Sequence, residues 1–112
     1  MEDEYLLADR IAREFARLGI ETIGPTSTVK RALDLVKRGG HLDGAVLDIR
    51  LRDDLVFPVA EALRARGIPF VFATGYDEQT IPDQYRDVAH LHKPLDPAQV
   101  LRALFSQADQ IP

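Results

Sequence analysis

Two rhythms of apolar positions alternate along the chain, one helical and one continuous. Leu7, Ile11, Phe15 and Leu18 recur at the spacing of one helix face, from about Glu4 to Leu18, and Gly19 closes that segment. A short strand, Ile20 to Gly24, follows. Ser27 or Thr28 can cap a second helix in which Val29, Ala32, Leu33 and Val36 share a face, before Gly39-Gly40 end it. Gly44-Ala-Val-Leu-Asp48-Ile is an apolar run without alternation, the pattern of a strand buried on both faces, and it calls for helices on both sides of a parallel sheet.

The second half repeats the pattern. Pro58 suits the first turn of a third helix carrying Val59, Ala62 and Leu63, with Gly67 as its stop. Ile68 to Ala73 reads as another buried strand. Asp77 to Asp87 is polar and contains Pro82, so a fourth helix there should be short, broken or mobile. Val88 to Leu91 makes a weak strand. Asp96-Pro97 is a cap and first-turn pair opening the last helix, with Val100, Leu101, Leu104 and Phe105 facing inward. Strands and helices alternate throughout, which predicts an α/β fold with right-handed crossovers.

Composition narrows this picture. At 112 residues, 46% of them apolar, the chain can bury one core and has no room for a second domain of ordinary size, so residues 1–112 are expected to form one domain. A formal net charge of −4 offers no basic field for a phosphate backbone, which argues against nucleic acid as a partner. The absence of cysteine excludes disulfides and thiolate metal sites and fits a reducing compartment. No apolar run reaches membrane-spanning length, and Met-Glu-Asp-Glu lacks the marks of a secretory signal, so the expected location is the cytoplasm, away from membranes.

Ligands of open parallel sheets bind beyond the carboxyl ends of the strands, and the polar residues at those ends form a set. Asp48, Thr74 and Lys93 each end or follow a strand, and Glu2-Asp3 stand before the first helix. A carboxylate, a hydroxyl, an ammonium and an acidic pair on one edge describe a divalent-cation and phosphate site. An aspartate can attack a phosphoryl group and become an acyl phosphate once the charge on both partners is neutralised. Mg²⁺ suits that task, held by Asp3, Asp48 and a backbone carbonyl such as that of Arg50, with Glu2 acting through water. The Lys93 ammonium is a point charge for phosphoryl oxygens, the Thr74 hydroxyl can bond one of them after transfer, and Gly75 leaves them open to approach.

Singly, each of these residues is ordinary. Asp48 alone reads as a turn or cap, Lys93-Pro94 as a strand end, Thr74-Gly75 as a turn, and Glu2-Asp3-Glu4 as a solvated terminus or favourable charge at a helix start. His90 and His92 share a strand face, but two imidazoles without a third ligand make a poor metal site. Arg50 reads as a surface cation or a contact for an incoming protein.

Taken together, Glu2-Asp3-Glu4, Val46-Leu-Asp48, Phe72-Ala-Thr74-Gly75 and Lys93-Pro94 resemble a response-regulator receiver domain (CheY-like) over nearly the whole chain. The resemblance implies a flavodoxin-like three-layer parallel sheet of strand order 2-1-3-4-5. It implies Asp48 as phosphoacceptor, Glu2 and Asp3 as the metal-binding pair for Mg²⁺, Thr74 and Lys93 as reporters of phosphorylation, and a cis peptide at Lys93-Pro94. His90 lies where receivers often carry an aromatic switch residue. The Phe-Ala-Thr-Gly-Tyr stretch further resembles stand-alone receivers without an output domain.

The chain departs from the family at its start, where only Met1 is left of the apolar strand that should precede the acidic pair and occupy the centre of the sheet. An empty slot would orphan two rows of buried backbone groups, each at about 1–3 kcal/mol, against a total stability of roughly 5–15 kcal/mol. Either the strands close up or another chain fills the gap. The second outcome would make a homodimer or larger oligomer. Three functions follow from these residues. The leading one is a non-enzymatic phosphoacceptor, charged by a sensor histidine kinase or phosphotransfer protein and signalling to a downstream protein partner by contact. The second is a degenerate receiver that acts as a dimerisation or interaction module without phosphorylation. The third, a Mg²⁺-dependent phosphatase with Asp48 as nucleophile, lacks a cap domain to enclose a substrate.

Overall fold

The computed structural model describes residues 12–24, 26–38, 40–74, 81–93 and 95–110. Within them a helix α1 at 12–17 leads into β1 (Ile20–Ile23), α2 (Val29–Lys37), β2 (Gly44–Asp48), α3 (Phe57–Ala65), β3 (Phe70–Thr74), a single 3-10 turn (Asp83–Tyr85), β4 (His90–His92) and α4 (Pro97–Gln110). The expected part of the first helix before residue 12 lies outside the described residues, as do Gly39 and Gly75.

Local chemistry sets these boundaries. Gly19 takes φ +80° just after α1, a conformation that favours glycine. Thr28, rather than Ser27, caps α2, its Oγ1 accepting from the Arg31 N–H at 3.2 Å. Pro58 sits in the first turn of α3, and Gly67 follows that helix at φ +71°. The Asp96 carboxylate accepts from the Ala98 N–H at 3.0 Å at the start of α4.

All four strands are parallel and pair in the order β1-β2-β3-β4. Period-two alternation sorts their side chains into two cores. Ala45, Leu47, Phe70 and Phe72 face α2, α3 and Tyr85 of the 3-10 turn, while Val46, Val71 and Ala73 face Phe15 of α1 and Val100 and Leu104 of α4. The result is the expected three-layer α/β architecture.

The slot expected between the strands of Ile20 and Gly44 is closed. Strand β1 pairs directly with β2, Ile20 opposite Gly44 and Ile23 opposite Leu47, so the backbone groups that a vacancy would orphan bond to each other. That closure removes the energetic reason for a second chain to enter the sheet.

Two expectations are corrected in detail, and a third is met. The weak strand forms at His90–His92, starting two residues and ending one residue later than Val88 to Leu91. The fourth helix, expected to be short or broken, is among the described residues a 3-10 turn after Pro82, whose ψ of 153° is extended. Phe105, expected to face inward, is 61% exposed. The inward stripe of α4 is centred on Val100 and Leu104, and one further residue, a rotation of about 100°, carries Phe105 out of it.

Candidate functional site

The carboxyl ends of β2, β3 and β4 bring Asp48, Thr74 and Lys93 to one edge of the sheet. Register does this. Asp48 is the last residue of β2 and lies opposite Ala73, one residue before the end of β3 at Thr74. Thr74 lies opposite His92, the last residue of β4, and the Lys93 N–H donates to the Thr74 carbonyl at 3.0 Å. The hydrogen bond continues the ladder one step and fixes where the lysine leaves the sheet.

Lys93 Nζ forms an ion pair with Asp48 Oδ1. The carboxylate side chain is 14% exposed and the lysine 43%, so the pair straddles the surface with its negative end inside. Burial pushes the Asp48 carboxyl above its ordinary value of 3.8, and the hydrogen bond and charge of Lys93 pull it back only in part. An aspartate held this way retains a second oxygen, Oδ2, that the lysine does not hold.

Thr74 is 2% exposed, a polar residue buried in the core. Its hydroxyl donates to the Leu91 carbonyl at 3.4 Å and lies 3.4 Å from His92 Nδ1, long bonds that leave it weakly held and directed at β4. His90 is exposed, its Nδ1 3.1 Å from the Val88 carbonyl. Among the described residues no three His, Cys, Asp or Glu side chains gather about one point, so the two histidines form no metal centre with other described side chains.

The loop after β2 supplies one more oxygen. Arg50 bridges Leu55 across an antiparallel turn, flanked by Leu51 N–H to the Asp54 carbonyl and Val56 N–H to the Ile49 carbonyl, each at 2.8 Å. In such a pair the bonds belong to the neighbours, so the Arg50 carbonyl takes no backbone donor among the described residues. A carboxylate and a free carbonyl two residues apart are hard oxygen donors of the kind Mg²⁺ takes. Glu2 and Asp3, the other expected ligands, lie outside the described residues, and so does the Lys93-Pro94 peptide bond. The Arg50 side chain is exposed.

Nothing in the sequence singles out Gly24. It follows β1, and because β1 fills the slot beside β2 it stands next to Asp48. No local motif signals that neighbourhood, which arises from strand pairing alone.

A lysine-paired aspartate at the carboxyl edge of a parallel sheet covered on both faces defines a class: three-layer α/β domains that do their chemistry just beyond the strand ends. No family model matches the chain, and no curated protein matches it. Solved structures do. SdrG from Sphingomonas melonis Fr1 is 41% identical over 96% of this chain and 91% of its own, with a TM-score of 0.72. The BeF3-activated conformation of SdrG from Pseudomonas melonis Fr1 is 38% identical over 96% of this chain and 90% of its own, at 0.60. A response regulator receiver protein from Sinorhizobium medicae WSM419 shares the fold, at 24% identity, 97% and 90% coverage and a TM-score of 0.68. The chain belongs to the response-regulator receiver family.

Proposed function

We propose that this protein is a response regulator that accepts a phosphoryl group on Asp48 from a sensor histidine kinase or phosphotransfer protein and passes the signal on by protein contact in the cytoplasm. The observation that carries the reading is the Asp48–Lys93 pair, a largely buried carboxylate with one oxygen held by an ammonium at the sheet edge where this fold places its chemistry. In support, SdrG has a BeF3-activated conformation, and BeF3 bound to an oxygen imitates a phosphoryl group.

In the transfer an oxygen–phosphorus bond forms at Asp48 as the phosphorus–nitrogen bond of the donor phosphohistidine breaks, and the leaving imidazole ends neutral by taking a proton from solvent. Positioning and charge neutralisation supply nearly all of the catalysis in such a reaction. Lys93 offsets charge on the phosphoryl oxygens. Asp48 and the Arg50 carbonyl are donors of the kind that would hold a Mg²⁺, with Asp3 proposed as a further ligand and Glu2 as one acting through water, and the cation would neutralise carboxylate and phosphoryl charge. The Thr74 hydroxyl must leave the Leu91 carbonyl to bond a phosphoryl oxygen, and that exchange at the β3–β4 ends is the proposed signal.

One observation favours the second reading, a receiver that acts without phosphorylation: β1 occupies the position beside β2 from which an acidic pair would be aimed. Phosphotransfer separates the two. Incubation with a histidine-phosphorylated donor and Mg²⁺ should move label to this protein and to Asp48. Binding of the same donor with no transfer would establish the second reading.

A further inference from the structure

We propose that Gly24 is the access residue of the Asp48 site: its missing side chain keeps open the approach to Asp48 Oδ2, the oxygen that takes the phosphoryl group. The inference rests on Asp48 being the acceptor and adds to it which oxygen reacts and what controls entry.

The two carboxylate oxygens of Asp48 are not equivalent. Oδ1 is engaged by Lys93, and Oδ2 faces Gly24. A Cβ built at position 24 would meet one heavy atom within 4 Å among the described residues, Asp48 Oδ2 at 3.8 Å. Apart from its chain neighbours, no other described atom lies within 4 Å of that Cβ. Transfer requires the phosphorus to come in line with the attacking oxygen, so the open side of Oδ2 is where the donor must enter.

Conformation does not explain the glycine. Among the described residues the glycines with positive φ are Gly19 and Gly67, and Gly24 is not one of them, so its backbone is one that other residues adopt. Packing does not explain it either, since a Cβ would make only ordinary contact there.

The wall carrying Gly24 is also fixed. The Gly24 carbonyl accepts from the Ser27 N–H at 3.1 Å, the Ser27 carbonyl accepts from the Arg52 N–H at 2.9 Å, and Asp53 Oδ1 accepts from the Val29 N–H at 3.0 Å. These bonds tie the turn after β1 to the loop after β2, on both sides of Asp48. A side chain added at position 24 therefore cannot be relieved by the turn swinging away. Alanine would touch Oδ2, and valine, reaching one bond of about 1.5 Å further, would cover it.

The test is the rate of acyl-phosphate formation from acetyl phosphate and Mg²⁺, read by intact mass, for the parent protein, Gly24→Ala and Gly24→Val, with Gly40→Val as control. Gly40 has no atom within 4 Å of a built Cβ and should leave the rate unchanged. We expect Gly24→Ala to slow transfer several-fold and Gly24→Val about tenfold or more, with melting temperatures near the parent's. If Gly24→Val fails to fold, Gly24→Ala decides alone, because its added carbon makes only a normal contact. Variants that fold and label at the parent rate overturn the access role while leaving Asp48 as acceptor. A parent protein that does not label overturns both.

Discussion

Asp48 sits under opposed influences, burial that favours its neutral form and an ammonium that favours its charged one, and burial prevails. The sign of the linkage follows. A carboxyl raised in the folded state contributes stability that is complete below the ordinary value of 3.8 and is lost as pH rises through the raised one. At neutral pH the ionised Asp48 therefore works against the fold. Asp48→Asn should raise the melting temperature at pH 7, and the difference should shrink as pH falls through the raised value and the parent's carboxyl protonates. A variant less stable than the parent at pH 7 would show that the lysine outweighs burial. Thr74→Ala removes two long bonds of 3.4 Å and a buried methyl, so a cost of about 1–2 kcal/mol is expected in denaturant unfolding. Residue types at strand ends make Asp48, Thr74 and Lys93 legible in the sequence. Gly24 is not legible there, because its neighbour is set by which strands pair.

Among the elements, the helices are the most legible in sequence and the segment between β3 and β4 the least. Capping chemistry explains the success, since Thr28, Pro58 and Asp96-Pro97 mark helix starts whatever the tertiary context. The last helix shows the limit of periodicity. Leu104 is 2% exposed and Phe105 61%, so Leu104→Ala should cost about 2–5 kcal/mol by denaturant unfolding and Phe105→Ser less than about 0.5 kcal/mol. Between β3 and β4 the short turn is held from outside by Arg64 of α3. Its guanidinium lies 5.1 Å from the Tyr85 ring centre and 5.9 Å from that of Phe70, and it donates to the Gln84 carbonyl and the Asp87 carboxylate. The Tyr85 hydroxyl donates to Glu61 Oε2 at 3.0 Å on the same helix. Arg64→Ala should lower stability by about 1–2 kcal/mol and speed amide exchange over 83–88 more than elsewhere. Sequence could not show this, because the contacts cross 20 and 23 positions.

At the scale of the molecule, the slot expected beside Gly44–Asp48 is filled by β1, which pairs with β2 inside the described sheet. The alternative expected from sequence, repair by a second chain, rests on exposed rows of backbone groups that the β1–β2 ladder satisfies. A melting temperature independent of protein concentration is therefore expected across a wide dilution range, and one that rises with concentration would show association coupled to folding. The β1–β2 pairing also sets the turn at Gly24 beside the end of β2, next to Asp48. The claim that this edge is a phosphoacceptor site is tested most directly by incubating the parent protein and Asp48→Asn with Mg²⁺ and acetyl phosphate and recording intact mass. The account requires one phosphoryl adduct on the parent and none on the variant, whereas an unmodified parent, or an equally modified variant, would contradict it.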